Sequence, residues 1–181
     1  MTIVRDPLLA AMRGLLLFFI FVIGLFAAAL ALCAPLVAIF QDQVIAEFVS
    51  GGVKDAAAIY PALPFVLLGL AALVASGVYF LVLLKRIVAS VGQGDPFVPV
   101  NATRLARMGW TLLGAQIAAV PIGACVVWIA GIVDDDKGAN VHVGDDFGFS
   151  GGGILLTLVL FILARVFRRG AEMREELEGT V

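Results

Sequence analysis

The 181-residue chain is 62 % apolar and only 14 % charged, with a mean hydropathy of +1.08 and a formal net charge of -2, whereas soluble domains carry roughly 25 % charged residues. A water-soluble fold of this size cannot hide so much apolar surface, and the charges lie in short blocks between long uncharged runs. This pattern leaves an all-α membrane protein, read as one four-helix transmembrane bundle over residues 1–181 with helical extensions on its inner side.

A hydrocarbon core about 30 Å thick requires roughly 20 apolar residues in helical form. Residues 14–40 meet that test without one ionisable side chain and form the first predicted span. Arg5 and Arg13 before this run, with Ala29, Leu30 and Ala31 inside it, resemble a secretory signal, and Leu30 to Cys33 approaches a lipoprotein box. Signal cores hold about 7 to 15 apolar residues, whereas this run continues to Phe40, and Leu32 occupies the position where a lipoprotein needs a small residue. The segment is therefore a span. Residues 41–61 follow as a short, mildly acidic outward loop, in which Gly51 and Gly52 break any helix continuing from the membrane.

The second span covers residues 62–84, and its helix is expected to continue through Ile87, Val88 and Val91 until Gly92, Gly94 and Pro96 stop it. Phe97 to Val100 read as an extended apolar stretch. Asn101 is the predicted N-cap of a helix with Arg104 and Arg107 on one side and Leu105 and Met108 on the other, entering the third span, 109–133, at Gly109 and Trp110. The second outward loop, 134–153, opens with Asp134, Asp135 and Asp136. Val141, His142 and Val143 alternate as in a short strand, and Ser150 to Gly153 suit a flexible turn.

The fourth span covers 151–167, with Arg165 near its end read as a snorkelling residue. Beyond it the helix continues into water, with Val166, Gly170, Met173 and Leu177 on one face and Glu172, Arg174, Glu175, Glu176 and Glu178 over much of the rest. That face is expected to pack on the protein's own inner loop, with docking of a soluble partner as the functional alternative. The tails of the second and fourth spans resemble each other, without the longer similarity of a true repeat.

Orientation follows from the basic residues, which short cytoplasmic loops retain. Arg5, Arg13, Lys85, Arg86, Arg104, Arg107, Arg165, Arg168, Arg169 and Arg174 fall on one side, leaving only Lys54 and Lys137 of the 12 on the other. That other side holds Asp42, Glu47, Asp55, Asp134, Asp135, Asp136, Asp145 and Asp146. Both termini are expected in the cytoplasm of a bacterium, with the chain in the inner membrane.

Catalysis needs a nucleophile, a base or a metal cluster. His142 has neither a second histidine nor a nearby cysteine, and no paired carboxylates lie within the spans, so neither enzyme activity nor a cofactor nor a metal centre is expected. Ser76, Thr111, Gln116 and Thr157 are ordinary interhelical hydrogen-bonding groups. Cys33 and Cys125 fall at comparable depth, within reach of a disulfide in an oxidising compartment, although small packing residues are the preferred reading. Asn101 to Thr103 fits a glycosylation sequon on the wrong side of the membrane. Asp134, Asp136 and Gly138 imitate a calcium loop with glycine at a ligand position, so the outer aspartates are read as solvated acids.

Gly94, Asp95, Pro96 and Phe97, with Asn101, Arg104 and Leu105, combine with the tail from Leu163 to Arg174 and with Glu176, Leu177, Thr180 and Val181. Together they resemble the bacterial membrane family called domain of unknown function 2975, over nearly the whole chain. No activity is attached to that family, but members are often encoded beside a small helix-turn-helix regulator of the Cro type. The resemblance thus implies a membrane protein that controls such a regulator without itself binding nucleic acid.

The expected docking residues are Pro96, Phe97, Asn101, Arg104, Arg107, Arg168, Arg169, Met173, Arg174 and Leu177. The lipid bilayer and a second copy of the chain are further expected partners. A small transporter or membrane-stress protein acting through lipid or ion contacts is the alternative. Topology reporters placed at Lys54 and Lys137 should read as external, and reporters at Gln93 and the C-terminus as cytoplasmic. An external signal at Gln93 would contradict the four-span arrangement.

Overall fold

The computed structural model describes residues 7–53, 55–92, 97–133 and 150–178, with side chains described over 11–53, 55–92, 97–133 and 150–176. All regular structure among them is helical, in the order α1 (Pro7–Ile39), α2 (Gln41–Ser50), α3 (Ala56–Ile59), α4 (Ala62–Val91), α5 (Pro99–Val133) and α6 (Gly151–Glu178). Four stretches, Ala11–Ile39, Ala56–Val91, Pro99–Val133 and Gly151–Glu176, are long and apolar enough to cross a membrane. Each covers a predicted span, except that Phe40, the last residue of the first, is a turn residue beyond α1. α4 stops at Val91, as Gly92 foretells, and α6 runs on beyond residue 167 as a continuous helix.

Burial in α1 shows the solvent for which the chain is built. Leu16 and Ala34 are its only buried side chains among those described, while Phe18, Phe21, Leu25 and Phe26 are exposed. Water does not tolerate such a surface, whereas lipid tails do. Pro35 lies within α1 and Pro121 within α5, positions that membrane helices tolerate because neighbouring groups satisfy the freed carbonyls.

The chain divides into two compact units. One comprises residues 1–23, 76–114 and 151–181. Its core is Leu83 of α4, Leu105 and Met108 of α5, and Leu160 and Ala164 of α6, flanked by Phe80, Ile87, Leu112 and Phe167. Helix association in lipid depends on close packing rather than on apolar transfer, so small residues matter at contacts. A Cβ on Gly109 would stand 3.0 Å from the Phe161 ring.

The other unit comprises residues 24–75 and 115–150. Here the structure corrects the sequence reading, because the predicted outward loop holds α2 and α3. Gly51 and Gly52 do break α2, and Gly52 takes φ +93°, a conformation glycine adopts without cost. The chain then turns back so that Val53, Ala56 and the wholly enclosed Ile59 pack with Ile45, Phe48, Leu63, Ile129 and Ile132. Tyr60 donates its hydroxyl to the carbonyls of Val37 (3.4 Å) and Ala38 (3.2 Å) at the end of α1, where the last helical turn lacks its own donors. At Gly69 a Cβ would meet Ile122 at 2.7 Å, so these helices approach on a bare backbone.

Two further expectations are corrected. Gly151 to Gly153 already form the first turn of α6 instead of a flexible turn. Cys33 and Cys125 are both free, and Cys33 is exposed rather than a buried packing residue. Lys54, the 134–149 segment with Lys137, its aspartates, His142 and the predicted strand, and the Gly94, Asp95 and Pro96 positions lie outside the described residues.

Candidate functional site

The ends of α4, α5 and α6 that carry the basic residues meet within one compact unit. α5 begins three residues earlier than expected. Pro99 takes the first helical position, which suits its fixed φ and missing N–H, and the Val98 carbonyl accepts the Asn101 N–H at 2.9 Å. Asn101 is therefore inside the first turn rather than the N-cap, and Pro99 and Val100 are helical rather than extended.

That shift turns the Asn101 side chain inward, where it is 0 % exposed. Its Nδ2 donates to Ser90 Oγ on α4 at 2.6 Å, and Ser90 Oγ in turn donates to the Ile87 carbonyl at 2.7 Å. Asn101 Oδ1 accepts from Arg104 Nη1 at 2.9 Å, and the same Nη1 reaches the Arg86 carbonyl at 3.1 Å. From α1, Arg13 Nη2 donates to the Ala89 carbonyl at 3.4 Å. Two guanidinium groups thus converge on carbonyls near the C-terminal end of α4, where the helix dipole favours positive charge. Satisfied polar groups of this kind fix geometry because leaving any one unpaired is costly.

Phe97, two residues before α5, is also seated on α6. The Phe97 ring lies 5.3 Å from that of Phe167, and a Cβ on Gly170 would come within 2.9 Å of Phe97 Cδ1. The sequence reading expected Val166, Gly170 and Met173 to share the packing face. The structure separates them: Gly170 meets Phe97, Ala164 and Ala171 are buried, and Val166 and Met173 are 53 % and 64 % exposed.

Another face of α6 borders a cavity of about 430 Å³, lined by Ala106 of α5 with Phe161, Ala164, Arg165, Arg168, Arg169 and Glu172 of α6. Positions 161, 165, 168 and 172 recur every three or four residues and so share one side of a helix. Trp110 packs edge-on against Phe161, with ring centroids 5.3 Å apart, and is itself 65 % exposed.

The expected docking residues therefore separate by role. Asn101 is enclosed and Arg104 is held by the Asn101 and Arg86 oxygens, so both brace the fold. Arg107, Arg168, Arg169, Met173 and Arg174 are exposed, and Phe97 keeps 43 % of its surface while seated on α6. Pro96 and the Leu177 side chain lie outside the described residues. Ser90, Phe161 and Arg165 were missed as members of this region, whereas Gly170 and Glu172 were placed on its tail helix. The repeat at 161, 165, 168 and 172 is present in the sequence, but it runs across the boundary between the predicted span and its tail. Among the described residues, no group of three His, Cys, Asp or Glu side chains comes together.

Residues 43–181 match the family described as "Protein of unknown function (DUF2975)". The match begins within α2, so α1 lies before it, and the similarity spans three of the four long helices rather than nearly the whole chain. No curated protein and no solved structure matches the chain.

Replacing Asn101 by alanine should lower stability by about 1–3 kcal/mol, measured as thermal unfolding of the purified protein in detergent. Ser90→Ala should be less than additive with it, because the first change already removes their shared bond. Fully additive losses would contradict the network.

Proposed function

From the premise that this chain belongs to the DUF2975 family, we propose that it is a non-enzymatic membrane protein that holds or releases a cytoplasmic helix-turn-helix transcription regulator. In this reading the basic ends of α4, α5 and α6 face the cytoplasm of a bacterium, following the bias of Lys and Arg between the two sides. The partner binds beyond the membrane, on the surface formed where the α4–α5 return segment meets α6.

The observation that carries this reading is the seat of Phe97 on Gly170. It brings a half-exposed aromatic ring to α6 one turn before Met173, which is 64 % exposed. Along α6 the exposed residues Leu155, Val159, Ile162, Val166 and Met173 follow one helical stripe. Its first members suit lipid. Met173 lies eight residues past Arg165, a rise of about 12 Å, where an apolar stripe no longer has acyl chains to cover it. Single exposed apolar residues are ordinary on soluble surfaces, but here the stripe adjoins Phe97, and Val100 on α5 and Val91 on α4 are exposed at the same helix ends. Arg107, Arg168 and Arg169 add positive charge, so the surface fits a partner with an apolar centre and an acidic rim.

Met173→Glu should leave membrane abundance unchanged while reducing recovery of the regulator by roughly tenfold or more, as for a central interface residue. Removing residues 174–181 should likewise spare insertion, abolish co-purification and change expression of the regulator's target genes. Normal partner recovery and unchanged transcription in both variants would overturn this docking surface and favour the transporter or membrane-stress alternative.

A further inference from the structure

We infer that the arginine-lined cavity between α5 and α6 is a binding site for the headgroup of an anionic phospholipid. The site adjoins the partner surface and shares Arg168 and Arg169 with it, while Phe161, Arg165 and Glu172 occupy a different side of α6 from the Ile162, Val166 and Met173 stripe.

Three observations lead to it. First, Arg165, Arg168 and Arg169 all line a cavity whose single acid is Glu172, and among the described residues no hydrogen bond or ion pair engages these three guanidinium groups. Arginine presents a planar fork of donors that matches phosphate oxygens, so a phosphate is the complement such a cluster lacks.

Second, depth places the cavity at the headgroups. Residues 151–164 carry no charge, and a helical rise of about 27 Å from Gly151 brings Arg169 and its neighbour Arg168 close to the far edge of a hydrocarbon core about 30 Å thick, with Arg165 a turn further in, where its side chain can snorkel outward. Trp110, exposed beside Phe161, marks the same level, since exposed tryptophan collects at the membrane interface.

Third, the surroundings favour an amphiphile over a free anion. Phe161 and Ala164 provide the apolar part of the lining, and the neighbouring Leu158 and Ile162 are 54 % and 62 % exposed, a surface along which acyl chains can lie. Glu172 offers acceptor oxygens to headgroup hydroxyls. Phosphatidylglycerol combines the phosphate, the hydroxyls and the chains.

The test uses the full chain in mild detergent with equal amounts of phosphatidylglycerol and phosphatidylcholine, reading the ratio of lipid adducts by native mass spectrometry. The expected preference for phosphatidylglycerol is about fivefold for each arginine engaged. It should fall by about 25-fold in Arg168→Gln with Arg169→Gln, leaving the roughly fivefold share of Arg165, be partly retained in Arg168→Lys with Arg169→Lys, and persist in Arg86→Gln with Arg107→Gln, which removes the same charge outside the cavity. The lysine pair keeps the experiment informative if the glutamine pair unfolds. Absence of preference in the unaltered chain, its undiminished survival in the cavity glutamine pair, or an equal loss in the Arg86 and Arg107 pair would each overturn the proposal. Displacement of phosphatidylglycerol by millimolar inorganic phosphate would also overturn it, in favour of a soluble anion.

Discussion

Hydrocarbon offers neither donors nor acceptors, so a chain crossing it must satisfy each backbone group within itself and keep its charges at the ends. From that constraint follow the long helices, the uncharged runs and the crowding of basic residues at the helix ends. It also explains why burial is sparse. Inside lipid an exposed leucine has no penalty to escape, so α1 leaves most of its side chains outward. What joins the helices is shape: Gly109 admits Phe161, Gly170 admits Phe97, and Gly69 admits Ile122.

Where the helices leave the apolar region, polar chemistry takes over the joining. Asn101, Ser90 and Arg104 tie the start of α5 to the end of α4, and Phe97 carries the connection across to α6. None of these contacts resembles a catalytic arrangement. They hold a surface in place. Because Asn101 and Arg104 are occupied with that task, the faces free for other contacts are the exposed stripe through Met173 and the arginine-lined side of α6.

The spans were legible because uncharged runs of membrane length leave little choice of structure, and the end of α4 was legible because Gly92 follows it. The start of α5 was misread. Asn101 is a good cap in isolation, but Pro99 supplies a better first helical residue and the buried partner Ser90 draws the asparagine inward. α2 and α3 were hidden for a related reason: α2 is half polar and α3 is only the four residues Ala56–Ile59, while the contacts of Val53, Ala56 and Ile59 that fold them back come from distant residues such as Ile129. Gly151 to Gly153 look like a turn locally, yet they continue the ladder of α6. At the tail, the spacing exposed two faces of α6, and only tertiary packing shows that Gly170 and Ala171, rather than Val166 and Met173, turn toward the protein.

The account depends most on the seating of Phe97 against α6, since this contact makes the basic ends one surface. It can be read directly in membranes with the pair Phe97→Cys and Gly170→Cys, in a chain whose Cys33 and Cys125 are replaced by serine. Gly170 has room for a side chain only if Phe97 gives way, and the paired cysteines then occupy the position of the ring. Oxidation should join 97 to 170 in high yield, while a control pair of Phe97→Cys with Met173→Cys should join poorly, because Met173 turns outward. Equal, low yields from both pairs would contradict the account.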